Sequence, residues 1–250
     1  MLFAMQLPTV EFFLFFLVFF AISIFIRNNR RVFSGLLLLS SVLFYLSWDL
    51  RFQILIGVEL GMVFACLQLV YSPDPKTRNI GLTAGGLVVL GFWFALKYFN
   101  FFSTSLMELL NALGLHATMP YLQIMAPLGI SYYSFKLYSQ LHDSHSGTLK
   151  IRPGFIDLAN FALFFPHISA GPILKPQEFY SCITEPCDFH IEEVLLLLVS
   201  GIFKKVVIGS FLFEVVSGPF SSPGDYGSLE LLFAAIGYSA LIYADFSGYN

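Results

Sequence analysis

The chain has 250 residues, of which 57% are hydrophobic and 12% charged, with 30 phenylalanines and a formal net charge of −3. A soluble domain carries about 25% charged residues, so there is too little polar surface here for a water-facing globule and the solvent must be mostly lipid. The thin negative charge, without a basic stripe, excludes a nucleic-acid binder, and three cysteines cannot close a disulfide framework.

A polytopic all-α membrane protein is therefore expected. It should be one membrane domain over 1–250, with about seven transmembrane helices of roughly 20 apolar residues each. The first run covers Val10 to Ile26. It has no positive charge before it and ends in Arg27, so it reads as a retained helix rather than a signal peptide. The second covers Val32 to Ser47 and the third Phe52 to Val70. Ser72-Pro73-Asp74-Pro75 reads as a turn, because two prolines do not continue a helix. Further runs follow at Ile80 to Tyr98, Met119 to Leu141, Val194 to Val216 and Leu229 to Phe246.

Lysine and arginine beside the spans set orientation. Arg27, Arg30, Arg31, Lys76, Arg78, Lys150 and Arg152 fall on one side, and Arg51 alone on the other. That asymmetry places the N-terminus outside a cell (inner) membrane. Between the fifth run and the next, Phe155 to Pro172 is short and is interrupted by Pro166, His167, Gly171 and Pro172. Irregular backbone at membrane depth needs protein or a watery cavity around it, so a re-entrant element over about 155–172 is expected.

Soluble-enzyme signatures fail. Gly81 to Gly86 lacks the dinucleotide-binding spacing and opens an apolar run, and no G-x-S-x-G elbow is present. His142-x-x-His145 beside Asp143, and the Cys182, Cys187, His190 triplet, each fall short of four metal ligands, so no metal is expected. Ionisable groups inside apolar runs say more, because lipid exposure costs them several kcal/mol. Glu59 lies between Gly57 and Gly61, where a neighbouring helix can approach closely. It reads either as a buried carboxyl in one interhelical hydrogen bond or as a proton or substrate group. Lys136 sits near the end of the fifth run, whereas Lys204 and Lys205 lie well inside a long one and need protein, a cavity or anionic head groups. Asp245 and Ser247 close the last run.

Four segments then line up with one family. Ala126 to Phe135 (A-P-L-G-I-S-Y-Y-S-F, with Ser131) resembles the P-x-G-I-S-F-Y-T-F segment of membrane-bound O-acyltransferases. Phe164 to Ile173 resembles their F-F-P-x-x-x-A-G-P-I element, Gly201 to Ile208 their G-x-F-K-K-x-x-I run, and Tyr243 to Tyr249 their Y-x-D-F-S-G-Y. Within that family the chain resembles the bacterial branch that acetylates alginate or transfers D-alanine to teichoic acid. The motifs occupy 126–249, in family order.

The resemblance implies helices around a tunnel, lined by motif residues such as Ser131, Lys136, Pro166, His167, Gly171, Pro172, Lys204, Lys205, Asp245 and Ser247. It implies no bound cofactor. An acyl-CoA or an acyl carrier protein would be the thioester donor, and the acceptor a hydroxyl of an envelope polysaccharide or polymer, reached directly or through a periplasmic or extracellular acyltransferase. A histidine would act as general base. The family's catalytic histidines follow the D-F-S-G-Y element, beyond Asn250, so no catalytic residue is assigned and the 250 residues alone are expected to be inactive. Lys136 replaces the glutamine usual at its position. The alternative is a non-catalytic scaffold or acyl-group channel serving a separate transferase. A secondary transporter would need paired broken helices, and one break is seen.

Overall fold

A computed structural model describes residues 9–47, 50–114, 129–167, 174–184 and 190–249, and all regular structure among them is helical. Thr9 starts α1 (Val10–Ile26) by accepting the Phe12 amide at 3.4 Å, and Asn29 starts α2 (Arg30–Leu46) by accepting the Val32 amide. α3 spans Leu50–Val70 and α4 Pro75–Ala112. The 38 residues of α4 exceed the expected Ile80 to Tyr98 at both ends. Pro75 does not break the helix but opens it, since the first helical position needs no amide hydrogen. Asp74 caps it, taking the Thr77 hydroxyl at 2.7 Å and amide at 3.0 Å, and these bonds hold its carboxyl below the usual carboxylate range.

α5 runs Ile130–Ser146 between two left-handed glycines, Gly129 (φ 70°) and Gly147 (φ 77°). Only glycine takes that conformation without strain, so both ends of α5 are set by sequence. The part of the fifth expected span before Gly129 lies outside the described residues. α6 (Phe155–Leu163) has nine residues, about 14 Å of helix, too short to cross a bilayer core. It ends in a 3-10 turn, Phe165–His167, in which the His167 amide bonds the Phe164 carbonyl at 2.9 Å. Pro166 sits in this turn, where it has no amide to satisfy. Residues 168–173, with Gly171 and Pro172, lie outside the described residues. α7 (Pro176–Thr184) follows.

These helices form one unit. Its core packs α3 against α4 and α5, and α2 against α6. Phe165, fully buried, is the pin: its ring centre lies 5.2 Å from those of Phe15 and Phe19 on α1 and 6.1 Å from that of Phe44 on α2. On α4, a Cβ on Gly81 would come within 2.7 Å of the Val70 amide nitrogen, so the α3–α4 approach requires glycine there.

The second unit contains α8 (Ile191–Ile202), a π-helical stretch Phe203–Gly209, α9 (Ser210–Ser221) and α10 (Ser228–Tyr249). The first three join into one apolar helix of 31 residues. Among the described residues four helices are long and apolar enough to cross a membrane, namely α3, α4, Ile191–Ser221 and the Ser228–Gly248 part of α10, with shorter apolar helices such as α1 beside them. This is an all-α membrane protein.

Candidate functional site

In the second unit, two of the motifs read from sequence pack on each other. The π stretch carries Lys204 and Lys205, and α10 carries Asp245, Ser247 and Gly248. Successive side chains on an α-helix diverge by about 100°, yet both ammonium groups reach α10. Lys204 Nζ donates to Ser247 Oγ at 2.7 Å and Lys205 Nζ to Asp245 Oδ1 at 2.9 Å. Local π turns mark functional positions in many helices. Close approach is possible because both backbones carry glycine: a Cβ on Gly201 would lie 2.6 Å from the Gly248 carbonyl oxygen, and one on Gly248 2.9 Å from that of Gly201. Asp245 Oδ1 also borders Gly209, 3.4 Å from where a Cβ would stand. The lysine and aspartate side chains are about one-third and two-fifths exposed, so the pair is open on one side to whatever approaches it.

A second polar group lies in the first unit. Tyr180 on α7 donates to Gln140 Oε1 at 3.0 Å, Gln140 Nε2 donates to Ser144 Oγ at 3.2 Å, and the Tyr71 hydroxyl donates to the same Ser144 oxygen at 2.9 Å. Burial, then the charge of Asp157 and the neighbouring Tyr71, keep the Tyr180 hydroxyl protonated well above the usual tyrosine range. Lys136, one turn before Gln140, is 2% exposed, with its Nζ 4.7 Å from the Phe161 ring centre. His167 stands edge-on to Phe164 at 4.7 Å between ring centres. Ser131 accepts from Trp93 Nε1 at 3.1 Å and Lys97 Nζ at 3.3 Å, which ties α5 to α4. Glu59 is fully buried on α3, with neither carboxylate oxygen hydrogen-bonded.

Sequence reasoning singled out Lys136 but not Gln140, Ser144, Tyr71 or Tyr180 as partners in a network. The signal was available. Lys136, Gln140 and Ser144 repeat every four residues, which lays a polar stripe on one face of α5. The tyrosines had no such local mark.

The other histidines sit elsewhere. His142 meets Asp143 at 3.3 Å, His145 Nε2 meets Asn79 Oδ1 at 2.8 Å, and His190 stands at the start of α8, thirteen residues before Phe203. Among the described residues no three His, Cys, Asp or Glu side chains gather as a metal site.

The chain is 30% identical over 233 residues to a Pseudomonas putida protein named "Probable alginate O-acetylase", covering 89% of the chain and 46% of that relative. It is 24% identical over 246 residues to the peptidoglycan O-acetyltransferase of Helicobacter pylori, covering 85% and 45%. A teichoic acid D-alanyltransferase from Bacillus subtilis is 34% identical over 134 residues, 49% of the chain and 32% of the relative. The chain thus spans less than half the length of these relatives. No family model matches it, and no solved structure does.

Proposed function

We propose that the chain, whose homologues are membrane-bound O-acyltransferases, takes part in moving an acyl group, most simply acetyl, from a thioester donor to a hydroxyl of a cell-envelope polymer. The observation that carries this reading is the packing of Lys204 and Lys205 on Ser247 and Asp245, which joins two of the family-like motifs in one polar, partly open group. In the transfer itself the acceptor oxygen bonds to the thioester carbonyl carbon, the carbon–sulfur bond breaks, and a base takes the hydroxyl proton. A site walled by lipid-facing helices limits loss of the acyl group to water.

The donor would be an acyl-CoA or acyl carrier protein on the side of Arg27, Arg30, Lys76 and Lys150, with the N-terminus on the opposite side of the inner membrane. The acceptor would be an envelope polysaccharide, or a periplasmic or extracellular acyltransferase that relays the group. Among the described residues of the second unit the histidine is His190, which stands about 21 Å of helix from Lys204 and so is not in place to act as base for the lysine–aspartate group. The 250 residues alone are therefore proposed to be inactive. The same observation favours a second reading, a non-catalytic channel or scaffold for a separate transferase.

The test is transfer of labelled acetyl from acetyl-CoA to envelope polymer by membranes carrying only these 250 residues. No transfer is expected. Turnover that disappears in His167→Ala would contradict this and make His167 the base.

A further inference from the structure

Two nitrogens of the first unit are buried with no hydrogen-bond partner, Lys136 Nζ and His167 Nδ1. They border one aromatic wall. Lys136 Nζ lies 4.7 Å from the Phe161 ring centre and 5.7 Å from those of Phe179 and Tyr132. Phe164, whose ring centre is 5.4 Å from that of Phe179, stands against the His167 ring. Burial first, and then the Lys136 charge, hold the His167 imidazole below the usual histidine range.

An ammonium has three donors and no acceptor, and aromatic faces attract its charge without accepting all of its hydrogens. The polar oxygens one and two turns further along the same face of α5 are already used: Gln140 Oε1 accepts from Tyr180, and Ser144 Oγ accepts from Gln140 and Tyr71. Burial drives an unpaired ammonium to shed its proton, so a cation persists at this depth only when something pairs with it. His167 as a whole is only partly buried whereas Lys136 is 2% exposed, and its Nδ1 is buried with the ammonium, so a ligand would reach the two nitrogens past the imidazole.

From this geometry we infer that Lys136 and His167 form the receptor for an oxyanion, a phosphate or carboxylate group carried by a ligand. Lys136 supplies the charge and His167 Nδ1–H a second donor to the same group. The aromatic wall fixes the ammonium in direction and keeps water from competing with the anion. The inference stands on these two residues and holds whether or not the acyl-transfer reading does. One chemistry has two sources, a lipid headgroup phosphate or an anion on a water-soluble ligand.

The experiment uses the 250-residue chain in nanodiscs of zwitterionic phosphatidylcholine, with 15N-labelled histidine. The His167 signal is assigned by substituting the other four of the five histidines in turn. Inorganic phosphate, acetate and, at equal ionic strength, chloride are titrated. Phosphate or acetate should move the His167 signal saturably and raise Tm, while chloride does neither. Lys136→Gln should weaken the titration about tenfold or more, as expected for loss of a charge-assisted bond. In nanodiscs containing phosphatidylglycerol, a signal already shifted before phosphate is added assigns the group to a headgroup. An unshifted one that still titrates assigns it to a soluble ligand. Absence of any response to phosphate, acetate or phosphatidylglycerol, an equal response to chloride, or full affinity in Lys136→Gln would overturn the inference. The wild-type titration decides even if that variant does not fold.

Discussion

Lys205 and Asp245, 40 residues apart in sequence, meet at 2.9 Å where the π stretch crosses α10. Each lies inside an apolar run in which an unpaired charge would be expensive. The same crossing brings Lys204 to Ser247 and Gly201 to Gly248. Four polar groups and two glycines therefore act as one device, in which close backbone approach makes the charged contacts possible.

Removing one member of the ion pair should do more harm than removing both. Asp245→Asn or Lys205→Met leaves a charge without its partner, at a cost of about 1–2 kcal/mol once the partial exposure of both side chains is allowed for. The double variant should regain most of that. Thermal unfolding of the four proteins in one detergent measures the cycle.

Gly248→Ala should be worse than its size suggests. The new Cβ would press within 2.9 Å of the Gly201 carbonyl oxygen, which cannot swing away as a side chain would. Separating the helices should lower stability by about 1–3 kcal/mol. Gly91→Ala is the matched control. It occupies an exposed position of α4 with open space where a Cβ would stand, and should gain about 0.5–1 kcal/mol. Paired melting curves distinguish the two.

Gln140→Leu should cost about 2–4 kcal/mol, because it strands the buried Tyr180 hydroxyl and takes a donor from Ser144. Tyr180→Phe removes one end of the chain of bonds and should cost about 1 kcal/mol. Protease resistance of the α5–α7 region would report the same order.

Phe165→Ala should detach the 3-10 turn from α1 and α2. The ring is fully buried among Phe12, Phe15, Phe19 and Phe44, and its loss should cost about 3–5 kcal/mol. Hydrogen exchange around His167 should rise in this variant.

Much of this was legible in the sequence for identifiable reasons. The bounds of α1 agree because an apolar run between Pro8 and Arg27 leaves few choices. Lysines and an aspartate inside apolar runs called for partners, and Lys205 and Asp245 found each other. The start of α4 was misread because Pro75 carries two meanings: it ends a helix that precedes it and begins one that follows. The far end of α4 was missed because Asn100, Ser103 and Asn111 look like loop residues, although the helix continues through all three. Tyr180 and Tyr71 were not legible as partners of α5. Their bonds join residues 40 and 73 positions apart, a separation that no local pattern records. Gly171 and Pro172 lie outside the described residues.

The most direct measurement is the content of base-labile ester-linked acyl groups on envelope polymers in the source cell, with the gene intact, deleted, or carrying Asp245→Asn at its own locus. The account predicts that deletion removes the esters from one polymer, and that Asp245→Asn lowers them in the same polymer while the protein stays in the membrane. Unchanged ester content in the deletion strain would contradict it.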